Sequence, residues 1–301
     1  MRLHVEKQMM HLERLSQLNE RRVVFVGSSS VVNGFDEGIA AKTLNPLQPR
    51  NLGLTALLAH ELPGLRSLIE TPQTDAVVYL YNGFSFPNVQ NPDAIETRGN
   101  VLEDLKIEPI QWWQVRTLFN IGERTVSETL WARRYRNLLI SYLERLLRGT
   151  LSPLEHPFDY PVERQPPPPD QLTRKPQPPE PLSNWLRKAY VESGSLETSR
   201  GYDALRSFCD AARHNGTKFI ISPVPEAAFG RNNSYAVGVS FGHIDQRVAR
   251  IASECGAAFI NRDSQFENDD RNFVDEVHLS ASGRNSYTSL ISEKVGKILR
   301  R

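Results

Sequence analysis

Five short segments with the pattern of β-strands place the strongest constraint on the fold of this chain. The first, Val23 to Val26, is rich in β-branched residues and runs into Gly27 and three serines. Similar segments occupy residues 49–54, 75–81, 217–224 and 257–261. Runs of this length and composition favour buried parallel strands. The five segments therefore predict a parallel sheet whose outgoing loops begin with small polar residues.

Segments with helical periodicity alternate with the predicted strands. Thr55 is a predicted N-cap for a helix that runs toward Ile69. Further helices are expected at residues 196–214, 244–255 and 280–301, and Gly256 is placed to end the helix before it. Alternating strands and helices predict a three-layer α/β/α sandwich of the flavodoxin-like kind, with a central parallel sheet covered on both faces.

Three further segments stand apart from this α/β pattern. Residues 1–20 predict an amphipathic helix, docked on the domain or, alternatively, bound to a partner or to a membrane surface as a peripheral contact. The α/β domain, residues 21–300, is interrupted by a predicted helical insertion at residues 84–160. Residues 161–181 contain nine prolines, which favour an extended polyproline linker, with a docking site for a protein partner as the alternative. The insertion is expected to form a wall or lid over the strand ends, with Trp112, Trp113 and Trp131 offering apolar surface.

Charge and cysteine content exclude several classes of protein. Lys and Arg number 36 against 35 Asp and Glu, and this balance disfavours a chain built to bind nucleic acid. Cys209 and Cys255 are too few for a disulfide scaffold, although one long-range disulfide stays open. No metal-ligand spacing or phosphate-binding loop is present, so neither a metal nor a cofactor is predicted.

The location of the protein is predicted from its apolar runs. No run approaches the roughly 18 apolar residues of a transmembrane helix, and the N-terminus lacks the apolar region of a signal peptide. We therefore expect a cytoplasmic protein without a transmembrane segment. The alternative is a periplasmic or extracellular protein whose export or anchor segment is missing from this chain.

Polar residues follow the ends of three predicted strands, and a further pair lies near the C-terminus. Ser29 follows the first strand, Gly53 ends the second, Asn82 follows the third, and Asp275 precedes His278 by three positions. In a parallel sheet these loops converge at one edge, where open α/β proteins bind ligands. Together they supply a hydroxyl, a base, a carboxylate and hydrogen-bond donors. This combination points to nucleophilic acyl transfer.

Each of these residues has a chemical reason to take part. A serine hydroxyl is a weak nucleophile until a base accepts its proton, which an imidazole does near neutral pH. We therefore predict Ser29 as the nucleophile, His278 as the base and Asp275 as the group that fixes the imidazole tautomer. The backbone N–H groups of Ser29 and Gly53 and the side-chain amide of Asn82 are predicted oxyanion donors. The neighbouring Ser28 and Ser30 are interpreted as turn or helix-capping hydroxyls.

This set of residues resembles the SGNH, or GDSL-like, hydrolase superfamily. The matching blocks are Gly27-Ser28-Ser29, Asn51-Leu52-Gly53, Tyr81-Asn82 and Asp275-Glu276-Val277-His278, in the family's order. The resemblance covers residues 21–82 and about 196–300, and it implies the same sandwich fold and the same site residues. The usual Gly-Asp-Ser-Leu start reads Gly-Ser-Ser-Ser here, and Gly83 stands where an aspartate commonly follows the asparagine.

The Gly-Ser-Ser start is similar to a branch that includes the D-alanyl transfer protein of teichoic acid and alginate-type O-acetyltransferases. The resemblance implies an ester hydrolase or O-acyl (acetyl) transferase that acts on a carbohydrate or cell-envelope polymer through a covalent acyl-enzyme. The alternative hypothesis is a catalytically weak scaffold or binding protein of the same fold, which acts through its insertion and its proline-rich segment.

Overall fold

A parallel sheet of five strands, in the order β2-β1-β3-β4-β5, forms the centre of the fold. The computed structural model describes residues 19–54, 57–87, 170 and 186–300, which fall within one compact unit of the chain. The strands are β1 (Arg22–Gly27), β2 (Gln48–Gly53), β3 (Thr74–Tyr81), β4 (Lys218–Pro223) and β5 (Ala258–Phe259). All five coincide with the predicted apolar segments, and every pairing between them is parallel.

Helices connect and cover these strands. The α-helices of the described ranges are α1 (Ser29–Gly34), α2 (Glu37–Leu44), α3 (Ser67–Glu70), α4 (Ser195–Thr198), α5 (Arg200–His214), α6 (Ala228–Ala236), α7 (Phe241–Cys255), α8 (Ser264–Glu267) and α9 (Ala281–Leu299). A π-helix spans Arg187–Glu192, and 3₁₀-helices span Ala59–Leu65 and Asp270–Asn272. Gly256 adopts a left-handed φ of 82° directly after α7, as its position in the sequence predicts.

The two faces of the sheet are covered by different helices. On one face, strand residues such as Phe25 and Val78 pack against α1, α2 and α9 in one apolar cluster. On the other face, Phe208 of α5 lies against Phe219 of β4, with ring centroids 5.2 Å apart. Successive strand side chains point to opposite faces, so an entirely apolar strand can serve both layers. The structure confirms the predicted three-layer sandwich with a central parallel sheet.

The register of the sheet brings the ends of three strands together. Gly27 of β1 pairs with Gly53 of β2 on one side and with Leu80 of β3 on the other. A Cβ atom at Gly27 would lie 2.2 Å from the Leu80 carbonyl oxygen and 2.4 Å from Val31 Cγ2. Glycine therefore allows the chain to turn from β1 into α1 against its neighbours. As a result, the residues that follow β1, β2 and β3 begin at the same edge.

The predicted helix from Thr55 toward Ile69 is wrong in its extent. The chain instead forms the 3₁₀-helix Ala59–Leu65 and then the short α3, while Thr55 lies outside the described residues. Pro63 lies inside the 3₁₀-helix. Proline lacks an N–H and disfavours the α conformation in the residue before it, which prevents one continuous α-helix through this segment.

Several predictions concern segments that the structure does not describe. They are the N-terminal helix (apart from residues 19 and 20), the insertion after residue 87 with its tryptophans, and the proline-rich segment apart from residue 170. Among the described residues, no helix has both the length and the apolar character needed to span a bilayer.

A disulfide joins α5 to α7 through Cys209 and Cys255, whose Cα atoms are 6.0 Å apart. Both cysteines are buried. The sequence leaves such a bond open, and the packing of the two helices determines it.

Candidate active site

Ser29 lies at the start of α1, directly after the end of β1. Ser28 is the N-cap of this helix, and Ser29 is its first residue. In the described part of the chain, the backbone N–H groups of Ser29 and Ser30 have no hydrogen-bond acceptor, as expected for the first turn of a helix. The serine side chain is partly exposed, so it is accessible at the carboxyl edge of the sheet.

The structure brings Ser29, His278 and Asp275 together although 249 positions separate the serine from the histidine. Ser29 Oγ lies 3.0 Å from His278 Nε2. His278 Nδ1 lies 3.0 Å from Asp275 Oδ1 and 2.9 Å from Oδ2. An ionised carboxylate only accepts hydrogen bonds, so His278 carries its proton on Nδ1 and leaves Nε2 free to accept the Ser29 proton. The three groups form a continuous hydrogen-bond chain.

Asp275 also organises the loop that carries the histidine. Its Oδ1 accepts hydrogen bonds from the backbone N–H groups of Val277 and His278, at 3.0 and 2.9 Å. Burial alone would raise the pKa of Asp275, but the hydrogen bonds and charge of His278 together with these N–H groups outweigh it and lower that pKa. The carboxyl is therefore held in its ionised form beside the imidazole.

The loop is fixed to the body of the domain on both sides of His278. Phe273 and Leu279 form an antiparallel bridge, and both side chains are buried. Ser280 caps α9 by accepting a hydrogen bond from the Gly283 N–H at 3.0 Å. These contacts hold the imidazole next to the N-terminus of α1. The side chain of Leu279 also packs close to Gly34 of α1, which is a second contact between the loop and the helix.

Asn82 follows β3 and lies beside the serine cluster. Its Nδ2 donates to Ser28 Oγ at 2.9 Å and to Ser30 Oγ at 3.3 Å. Its Oδ1 accepts from the Phe84 N–H and the Ser85 hydroxyl. The side chain of Ser28 makes no helix-capping hydrogen bond and instead accepts from Asn82. The Asn82 amide thus contacts the two serines that flank Ser29 in the sequence and not Ser29 itself. Its role as an oxyanion donor stays a prediction.

Gly53 lies at the end of β2, against α1. A Cβ atom there would lie 2.5 Å from the Val32 nitrogen, so a side chain at this position would push the helix away. The Gly53 N–H donates to Asn51 Oδ1 at 3.0 Å. To bind an oxyanion, the Gly53 N–H must first release Asn51 Oδ1. This role also stays a prediction.

Asn51 holds the far end of α1, a function that the sequence reasoning missed. Its Nδ2 donates to the carbonyl oxygens of Val31 and Phe35, both at 3.0 Å. Helix α1 is therefore tied to β2 by one side chain that also contacts the Gly53 N–H. The sequence does carry a signal for this role, since Asn51 is a polar residue within β2, two positions before Gly53.

Glu226 and Tyr190 hold the peptide that follows Asn82, and the sequence reasoning also missed both. Glu226 Oε1 accepts from the Gly83 N–H at 2.6 Å, and the Tyr190 hydroxyl donates to the Gly83 carbonyl oxygen. The same hydroxyl accepts from the Phe86 N–H at 3.2 Å. Glu226 could have been found, because it is the first polar residue after β4 and so belongs to the same edge. Tyr190 lies in the π-helix and carries no such signal.

Glu226 belongs to a buried cluster of opposite charges beneath this loop. Arg262 contacts Asp245, Glu267 at 3.0 Å and, more distantly, Glu226 at 3.7 Å, while Arg231 contacts Glu267. Burial raises the pKa of Glu226 to about 7, although Arg262 and the Gly83 N–H oppose the rise. Two guanidinium groups therefore face three carboxyls in this cluster.

Within the described ranges, no three His, Cys, Asp or Glu side chains form a group that could hold a metal ion.

No protein-family model matches the chain, and no curated protein sequence matches it either. Among solved structures, the chain is similar to the crystal structure of a putative acylhydrolase from Bacteroides fragilis, with 15% sequence identity and a TM-score of 0.43. The match covers 96% of this chain and 98% of that chain.

Proposed function

We propose that this protein is a serine-dependent enzyme that hydrolyses acyl esters or transfers their acyl group to another hydroxyl. One observation carries the proposal: Ser29 Oγ, the His278 ring and the Asp275 carboxylate are linked by hydrogen bonds of 2.9–3.0 Å. The resemblance to SGNH hydrolases suggests an acylated carbohydrate or cell-envelope polymer as the natural substrate.

In the first half of the reaction, Ser29 Oγ attacks the ester carbonyl carbon while its proton moves to His278 Nε2. The Asp275 carboxylate stabilises the resulting imidazolium through Nδ1–H. When the tetrahedral intermediate collapses, the C–O bond to the alcohol breaks and Nε2 returns the proton to the departing oxygen. The product at this stage is an acyl-enzyme on Ser29, together with the free alcohol.

The carbonyl oxygen gains negative charge during each attack and needs hydrogen-bond donors. The Ser29 N–H is a suitable donor because it lies in the first turn of α1 and has no acceptor in the described part of the chain. The Asn82 amide is the second candidate, since it donates to hydroxyl oxygens that a substrate oxyanion can outcompete. The Gly53 N–H is the third, after exchange of its bond to Asn51.

In the second half, a hydroxyl group attacks the acyl carbon and gives its proton to His278 Nε2. If the hydroxyl belongs to water, the products are a carboxylic acid and the free enzyme. If it belongs to an acceptor alcohol, the product is a new ester. Both outcomes use the same residues, so they are distinguished by measuring the ratio of acid to new ester in the presence of a polyol.

The proposal is tested by covalent labelling with a fluorophosphonate and by turnover of p-nitrophenyl acetate. We expect Ser29→Ala to abolish the label and to lower kcat by a factor on the order of 10⁶, the scale of single triad knockouts. His278→Ala should have a similar effect on turnover, because the serine then lacks a base. Circular dichroism and the urea midpoint of each variant establish that it is folded.

Ser28→Ala and Ser30→Ala are the matched controls for labelling, because their hydroxyls lie next to Ser29 in sequence but contact Asn82. Both variants should keep the label. Labelling that survives Ser29→Ala refutes the proposal, and labelling lost only in Ser28→Ala assigns the nucleophile to the neighbouring position.

A further inference from the structure

We propose that Glu226, Asn233 and Glu276 bind a single buried water molecule, and that this water makes Glu226 and Glu276 positioning residues that couple the Asn82 loop to the His278 loop. The water site stands on its own geometry, whereas the effect on catalysis rests on the function proposed above. Neither carboxyl contacts the reacting atoms in this scheme, so both act through the backbone that carries them.

The three residues line one small cavity that also contacts Val277, the residue before His278. The rest of its wall includes the apolar side chains of Phe84, Leu186 and Phe241. The cavity volume is about 10 Å³. A volume of roughly 10–15 Å³ holds one water molecule, so the cavity is too small for a substrate or an organic ligand.

Each of these three lining residues carries one buried polar atom without a hydrogen-bond partner. They are Glu226 Oε2, Asn233 Nδ2 and Glu276 Oε1, and none has a partner within the described part of the chain. Arg262 Nη1 lies 3.7 Å from Glu226 Oε2, which is an ion-pair distance rather than a hydrogen bond. A buried polar atom without a partner destabilises the folded state, so three such atoms on residues that line one cavity call for an occupant.

Water is the occupant whose chemistry complements all three atoms. It can donate one hydrogen to Glu276 Oε1 and accept the N–H of Asn233 Nδ2, and it can pair with Glu226 Oε2 in either state, as donor to the ionised carboxylate or as acceptor from the protonated carboxyl. A bare cation would suit the two carboxyl oxygens but would be repelled by the amide N–H. Three hydrogen bonds are also the usual number for a buried water.

The water would join the two loops that carry the candidate site. Glu226 holds the Gly83 N–H at 2.6 Å, and Gly83 directly follows Asn82. Glu276 lies next to Asp275 in the His278 loop, and its carbonyl oxygen accepts the Ala227 N–H at 3.0 Å. With the water in place, the side chains of Glu226 and Glu276 are linked in addition to the backbone hydrogen bond between Ala227 and Glu276. Removing either carboxyl would take one hydrogen-bond partner from the water and so break the link to the other carboxyl.

The water site is tested by a crystal structure of the full chain at a resolution that shows ordered solvent. We expect density for one water within hydrogen-bond distance of Glu226 Oε2, Asn233 Nδ2 and Glu276 Oε1. A cavity without density, an ion with contacts shorter than hydrogen bonds, or Glu276 turned out to solvent would each overturn the site. This readout does not depend on enzymatic activity, so it stands or falls separately from the proposed function.

The coupling is tested by a double-mutant cycle with Glu226→Ala, Glu276→Ala and the double variant. We expect each single variant to lower kcat for p-nitrophenyl acetate about tenfold with little change in KM, and the double variant to lose no more than the worse single one. Independent residues would multiply their losses to about 100-fold, which would overturn the coupling. The urea midpoints of the same variants should be non-additive in the same way, even if turnover of esters is absent.

Conservative and neighbouring substitutions distinguish positioning from general damage. Glu276→Gln should restore most of kcat, because its amide oxygen can still accept from the water. Asn233→Ala should shift the urea midpoint, whereas Asn232→Ala on the exposed face of the same helix should not. Loss of kcat in Glu276→Gln equal to that in Glu276→Ala would show that charge, rather than the hydrogen bond to water, is what matters and would overturn the proposal.

Discussion

The disulfide between Cys209 and Cys255 should contribute a large part of the stability of this domain. It closes a loop with a sequence separation of 46 residues between two helices that pack against each other. A cross-link stabilises mainly by restricting the unfolded chain, and a loop of this length corresponds to about 4 kcal/mol at 25 °C. Domains are usually stable by only about 5–15 kcal/mol in total, so the bond is a substantial fraction.

Urea unfolding with and without dithiothreitol measures this contribution. For an m-value of roughly 2–3 kcal/mol/M, a loss of about 4 kcal/mol lowers the urea midpoint by about 1.3–2 M. The double variant Cys209→Ala/Cys255→Ala should unfold near the lower midpoint and should not respond to the reductant. Thiol titration of the unfolded, unreduced wild type should detect no free cysteine.

Two outcomes would refute this reasoning. Two free thiols in the unreduced protein would mean that the helices are not linked. An unchanged midpoint on reduction of a bond shown to be present would mean that the unfolded chain is not restricted as assumed. Because structural disulfides persist in oxidising compartments, an intact bond in protein from its native cell would favour the periplasmic or extracellular alternative over the cytoplasmic expectation.

Four further substitutions test individual parts of the site. Asn82→Asp keeps the acceptor for the loop N–H but removes the donor, so kcat/KM should fall roughly 10²–10³-fold, and an unchanged value would exclude an oxyanion role. Asp275→Asn should lower kcat by less than the Ser29 knockout but by more than the Asn82 change, because the imidazole loses its tautomer preference. Gly53→Ala should destabilise the domain by about 1–3 kcal/mol in urea, since its methyl group meets the backbone of Val32, and a neutral effect would contradict the close packing of α1. Glu226 keeps its proton to about pH 7 when folded but releases it near its ordinary value of 4.5 when unfolded, so wild-type stability should fall by roughly 3 kcal/mol as the pH rises between these values. Glu226→Gln should remove that slope in urea titrations at several pH values, and an equal slope in both proteins would contradict the assignment.

The sequence by itself determined the layers of this protein and the order of its candidate site residues. The three central strands, β1, β3 and β4, are mostly apolar and buried along nearly their whole length, and such runs have few alternatives to a parallel sheet. The position of Ser29, Asn82 and the Asp275–His278 pair after strand ends or near the last helix is a property of chain order. Their convergence follows once the sheet is parallel, because parallel strands end at one edge.

Only the tertiary structure decided how the surroundings of those residues are arranged. The buried charges around Glu226 come from four separate elements, and their attraction depends on distances that no local pattern encodes. The same holds for the Asn82 amide, which contacts Ser28 and Ser30 because β1 and β3 are neighbours in the sheet, and for the pairing of Cys209 with Cys255 across two helices. Local sequence specifies backbone preference and burial, whereas hydrogen-bond partners and buried charge pairs are chosen by the packing of elements far apart in the chain.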